Sequence, residues 1–123
     1  MHATLDVRNL TKEWMMTTIE QHSQYATLIN VFVVEPDRAA DLAALLVEAT
    51  EKVMRHRPGF RSANIHVSTD STRVLNYAQW ESPEAYAAML ADGEARVHME
   101  EAASLASSFD PHLYTVESVH ENA

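Results

Sequence analysis

The chain has 123 residues, 46% of them hydrophobic and 22% charged, the balance of a single ordinary globular domain. Its net charge of −9, with no basic stripe, excludes nucleic acid as a partner and argues against anionic membranes. Without cysteine there are no disulfides, thiolate metal sites or thiol catalysis, and with no apolar run near the ~20 residues of a membrane span the expected location is the cytoplasm.

Residues 1–24 read as an N-terminal extension. Val7, Leu10 and Trp14 follow helical spacing and Ile19 continues it imperfectly, which predicts a short amphipathic helix. Such a helix is too sparse in apolar residues to stand alone, so it is expected to dock on the domain or across a partner subunit. The domain proper covers 25–121. Tyr25–Glu35 reads as a strand, apolar on both faces apart from Asn30. Glu35-Pro36-Asp37 starts a helix running to about Arg57, with Leu42, Leu45, Leu46, Ala49 and Val53 in one stripe. His56 and Arg57 suit its negative end, and Pro58-Gly59 stops it. Phe60–Asp70 is a second strand, with Ala63, Ile65 and Val67 alternating against Ser62, Asn64 and His66. The turn at Asp70-Ser71-Thr72 is short enough to make a hairpin with the next strand.

That third strand, from Arg73, places Val74, Asn76, Ala78 and Trp80 on one face and Leu75, Tyr77 and Gln79 on the other. Both faces carry apolar or aromatic bulk, so the strand is buried on both sides. An amide and an indole on the same face point to a cavity wall. Ser82-Pro83-Glu84 then supplies an N-cap, a proline at the first helical position and an acid at the positive end of a helix. This helix carries Tyr86, Met89 and Leu90 and is interrupted at Asp92-Gly93. Glu94 to about Ser107 resumes it, with Val97, Ala102, Leu105 and Ala106 expected inward. Pro111–His120 alternates as a fourth strand.

The order β-α-β-β-α-β specifies an α+β, ferredoxin-like sandwich, a four-stranded antiparallel sheet with its helices on one face. The second face also carries apolar residues. An uncovered apolar sheet is an association surface, so a homodimer with two sheets facing each other is expected.

At this point the residues resemble the antibiotic biosynthesis monooxygenase family, a branch of the dimeric α/β-barrel proteins. The resemblance runs from about Tyr25 to Val119. It rests on Leu28-Ile29-Asn30-Val31-Phe32, Arg57-Pro58-Gly59-Phe60, Ser62-Ala63-Asn64-Ile65-His66 and, above all, Asn76-Tyr77-Ala78-Gln79-Trp80 followed by Ser82-Pro83-Glu84-Ala85-Tyr86. Within the family the chain looks most like the anthrone oxygenases of aromatic polyketide pathways. The resemblance implies oxidation of an anthrone or naphthacenone to a quinone by molecular oxygen, with no metal, flavin or haem cofactor. It also implies catalytic roles for Asn76, Trp80 and His66, and a pocket-lining role for Tyr86. Asn30, Asn64 and Phe32, within the same matching blocks, are the further expected substrate-binding residues.

These residue types suit that chemistry. A phenolic anthrone is a carbon acid whose anion reduces oxygen directly, so the protein supplies a base, a donor for the developing charge and a dry apolar box. His66 is the expected base, Asn76 the amide donor, Trp80 a flat wall with an N–H, and Tyr86 the closure on the helix side. Each has an ordinary structural use as well. Trp80 and Tyr86 fit core packing, His66 fits a surface strand, and Asn76 or Asn30 fits a backbone-bonded amide. No metal site is expected, since no histidine pair has helical ligand spacing with carboxylate company, although His66 and His98 could converge in space. Three rivals share the fold: a polyketide cyclase, a non-catalytic ligand-binding dimer and a haem-degrading monooxygenase. The last is disfavoured because no histidine lies near Leu90 to serve as axial ligand.

Overall fold

The computed structural model describes residues 16–123. Four antiparallel strands, β1 (Ala26–Val33), β2 (Phe60–Val67), β3 (Arg73–Trp80) and β4 (Ser108–Tyr114), form one sheet in the order β2-β3-β1-β4. Three helices, α1 (Ala39–Lys52), α2 (Pro83–Leu90) and α3 (Gly93–Leu105), cover one face. The expected ferredoxin-like architecture is present. Among the described residues no helix is long and apolar enough to cross a membrane.

The elements start and stop where local chemistry demands. A 3-10 turn at Pro36–Arg38 leads into α1, whose Ala39, Leu42 and Ala49 are buried while Asp41, Glu48 and Glu51 face solvent. The exposed pairs Lys52–Glu48 and Arg55–Glu51 lie one turn apart at 3.0 and 2.7 Å, and solvent screening leaves them a minor part of the stability. After α1 the chain makes a second 3-10 turn, Met54–His56, and reverses at Gly59. Gly59 has φ +83°, and a Cβ there would lie 2.5 Å from the Cβ of Ala85, so the start of β2 approaches α2 at glycine distance. The Ser82 hydroxyl accepts from Ala85 N at 3.0 Å to cap α2, and Pro83 takes its first position.

Asp92 divides the second helical stretch. One carboxylate oxygen caps α3 by accepting from Ala95 N at 2.9 Å, and the other accepts from the Arg57 guanidinium at 2.9 Å. The α2–α3 joint is thereby tied to the loop entering β2.

Two expectations change. Val97 is exposed, because the buried face of α3 is set by Ala95 and Ala102. Val97, two residues beyond Ala95, lies roughly 200° round the helix from it at 100° per residue. The fourth strand occupies Ser108–Tyr114 instead of 111–120, pairing from Val33 with Ser108 to Thr27 with Tyr114. All seven of its residues are exposed, so no burial pattern marked its register in the sequence. The expected helix at Val7, Leu10 and Trp14 falls outside the described residues. The part of the extension that is described, Met16–Gln24, lies against the sheet face opposite the helices. There the Thr17 hydroxyl and the Asn64 amide are hydrogen-bonded at 2.7 Å, and Gln79 Nε2 donates to the Thr18 carbonyl at 2.7 Å.

Candidate active site

The strand pairings place rows of side chains across the helix-covered face. One row is Ile65, Asn76, Asn30 and Pro111; the next is Ala63, Ala78, Leu28 and Leu113; a third is Val67, Val74, Phe32 and Phe109. Above the middle row the helices present Ala49, Ala102 and Ala103. Small side chains from both layers cannot fill the gap, and a cavity of about 320 Å³ remains between sheet and helices.

Trp80 closes one end of it. The indole is 2% exposed and packs edge-on to Phe60, with ring centroids 5.5 Å apart, and tilted against Tyr86 at 6.2 Å. Tyr86 is half-buried, and that burial raises its hydroxyl pKa, so at neutral pH it is a proton donor. Phe32 lies on the floor with its ring 6.1 Å from that of Phe109. Met54, Met89 and Met99 add adaptable apolar surface. Arg96 and Glu100 of α3 are exposed side chains that also border the cavity.

The polar atoms in this apolar box are unusual. Asn30 and Asn76 face each other across β1 and β3, and Oδ1 of each is buried without a hydrogen-bond partner. Nδ1 of His98, from α3, is in the same condition. A buried polar group left unpaired costs about 1–3 kcal/mol, which a fold avoids unless something else needs the group there. Among the described residues only one further side-chain atom shares this state, Arg57 Nε, and it lies outside the cavity lining.

The sequence-predicted site residues therefore divide. Asn30, Phe32, Asn76, Trp80 and Tyr86 line one cavity. His66 and Asn64 do not. Strand alternation turns both to the opposite sheet face, where His66 is exposed with Nδ1 3.1 Å from the Asn64 carbonyl and Asn64 bonds Thr17 and the Tyr77 carbonyl. In this structure a base at His66 is separated from the cavity by the sheet itself. His66 and His98 do not converge, since they lie on opposite sides of that sheet. His98 was not among the expected site residues. It stands three residues after Ala95 and four before Ala102, the two buried positions of α3, a face that only the folded helix identifies.

Comparison with known proteins places the fold and the sequence in a family. Residues 26–101 fit the antibiotic biosynthesis monooxygenase family. The tetracenomycin-F1 monooxygenase of Streptomyces glaucescens is 44% identical over 85 residues, which cover 69% of this chain and 76% of that protein. The crystal structure of the ActVA-Orf6 monooxygenase of Streptomyces coelicolor, in complex with nanaomycin D, superposes with a TM-score of 0.72 at 31% identity, covering 80% of this chain and 93% of that one. SnoaB, a cofactor-independent oxygenase from Streptomyces nogalater, shares the fold with a TM-score of 0.67 at 20% identity, over 79% of this chain and 97% of its own. With its fold and its matched span in agreement, the chain belongs to the antibiotic biosynthesis monooxygenase family and is a monooxygenase.

Proposed function

We propose that the chain oxidises a polycyclic aromatic polyketide, of anthrone or naphthacenone type, to the quinone with molecular oxygen and no cofactor. The observation that carries this is the apolar cavity lined by three buried polar atoms without partners, on Asn30, Asn76 and His98. A flat aromatic substrate with a few carbonyl and hydroxyl groups has the shape and the polar inventory such a box would take. The relatives named for tetracenomycin F1 and crystallised with nanaomycin D support a substrate of the same chemical kind.

The balance of the reaction supports the absence of a cofactor. A ring methylene and one oxygen molecule give a ring carbonyl and one water, so the substrate supplies all the electrons that reduce oxygen. The protein has to promote loss of the methylene proton, hold the resulting anion and exclude bulk water. In this scheme the Nδ2 amides of Asn76 and Asn30 donate to the carbonyl oxygen as enolate charge develops there, and their unpartnered Oδ1 atoms accept from substrate hydroxyls. Trp80 is the wall against which the rings stack, Phe32 the floor, and Tyr86 a neutral hydroxyl donor on the helix side. His66 and Asn64 take no part, being on the far face.

The test is oxygen uptake by purified, metal-stripped protein with a dihydroxyanthrone, measured beside buffer, Asn76→Ala and Trp80→Phe. Uptake with quinone formation above the autoxidation rate, lost in the variants, is expected. Substrate turnover with no oxygen consumed would mark a cyclase. Binding without turnover would mark a ligand-binding dimer.

The homodimer belongs to the same proposal. Ile29, Val31, Leu75 and Tyr77 are only half-covered on the sheet face away from the helices, and a second copy presenting the same face would complete their burial.

A further inference from the structure

We propose that His98 is the group that takes the substrate's proton. This rests on the oxygenase assignment above and gives its unassigned step to a specific atom. Nδ1 of His98 is buried, lines no hydrogen bond and belongs to a residue of the cavity wall. The sheet rows contribute only neutral side chains to that cavity, so the base has to come from the helices. There the choice is narrow. Tyr86 is held in its protonated form by burial, and Arg96 is a permanent cation. Glu100 is an exposed helix-surface carboxylate. His98 alone combines a buried, unpartnered ring nitrogen with a side chain that can serve as a neutral proton acceptor.

The local architecture holds it in place. Asp92 caps α3 and is itself tied to Arg57, which fixes the helix start six residues before His98. Ala95 and Ala102 pack on either side along the same face and are fully buried. From α1, Glu48 pairs with Lys52 at 3.0 Å, and this holds its carboxyl below the usual range; His98 on α3 adds a smaller lowering. The facing groups are thus Glu48 and Lys52 from α1, Tyr86 from α2, and Arg96 and Glu100 on α3 itself.

In the step assigned to His98 the imidazole accepts a proton from the methylene carbon and the electron pair of that C–H bond delocalises onto the carbonyl oxygen held by Asn76 and Asn30. Oxygen then adds at the carbon to give a peroxide. The imidazolium returns its proton to the peroxide anion, giving the hydroperoxide. The freed imidazole then takes the second C–H proton as that electron pair forms the carbonyl and the O–O bond breaks, and the expelled hydroxide recovers this proton and leaves as water.

Two measurements on one dihydroxyanthrone test this: solvent-deuterium exchange into the methylene under argon, and oxygen uptake in air. Both are expected above the buffer rate in the unsubstituted protein. In His98→Gln both fall by about 10²–10⁴-fold, the scale of a general base, with KM within a few-fold and the acid limb of the pH–rate profile gone. Imidazole added to His98→Ala restores part of the exchange. His98→Asn serves as the second variant should His98→Gln unfold. Exchange and uptake both surviving in folded His98→Gln, or a residual rate keeping the original acid limb, would overturn the role of His98 and leave the oxygenase assignment standing. Exchange that depends on His98 without any oxygen uptake would do the reverse. Neither signal in the unsubstituted protein would overturn both.

Discussion

Asn30 and Asn76 are expensive residues for the centre of a sheet, and their cost makes a prediction. Replacing Asn76 by Leu removes a buried amide that no protein group satisfies. Asn76→Leu is therefore expected to raise stability by about 1 kcal/mol in urea denaturation while abolishing oxygen uptake, the pattern of a residue kept for chemistry. Asn76→Ala should lower kcat by about 10²–10³-fold, as expected for loss of a donor to a developing oxyanion. His66→Gln should leave oxygen uptake unchanged, because the sheet stands between His66 and the cavity. The asparagines, Trp80, Phe32 and Tyr86 were legible in the sequence because a polar interruption in an apolar strand and a strand-end indole are conspicuous at period two. The alternation pairs His66 with Leu75 and gives Ile65 to Asn76, which sets His66 on the face away from the cavity. His98 was passed over because a helical residue shows its face only once the buried positions on either side of it are known.

At the scale of elements, two joints invite measurement. Asp92→Ala removes both the α3 cap and the partner of Arg57, and should destabilise the protein by about 1–2 kcal/mol in thermal or urea unfolding. Since α3 carries His98 and Met99 to the cavity, KM and kcat should change together in that variant. The β2–β3 turn has its own pH dependence. Asp70 accepts from Thr72 and Ser68, and these hydrogen bonds hold its carboxyl down to about 2. A depressed carboxyl stabilises the turn above its ordinary value and loses that contribution as pH falls through the depressed one. Faster hydrogen exchange at the Thr72 and Arg73 amides, which point at Asp70 and Ser68, is therefore expected between about pH 4 and pH 2, and Asp70→Asn should abolish the dependence. The turn, both helix starts and the break at Asp92-Gly93 were readable from capping and proline chemistry alone. The fourth strand was not. Its alternation is compatible with several registers, and only pairing with β1 selects one.

For the whole molecule, the proposed homodimer on the sheet's second face makes a prediction. Sedimentation should give twice the chain mass, and Leu75→Glu, which puts a charge in the middle of that face, should give the monomer. Deletion of residues 1–24 would remove the Thr17 and Thr18 contacts to Asn64 and Gln79, and its effect on the dimer distinguishes a strap over one sheet from a bridge between two. The order β2-β3-β1-β4 has a consequence for how the protein is made. β1 leaves the ribosome first yet belongs in the middle of the sheet, flanked by the third and last strands to be synthesised. Until those arrive, Leu28, Phe32 and the apolar far side of β1 have no partners. The nascent chain must therefore keep its most aggregation-prone strand waiting through most of translation, with α1, formed from local contacts alone, as its first available cover.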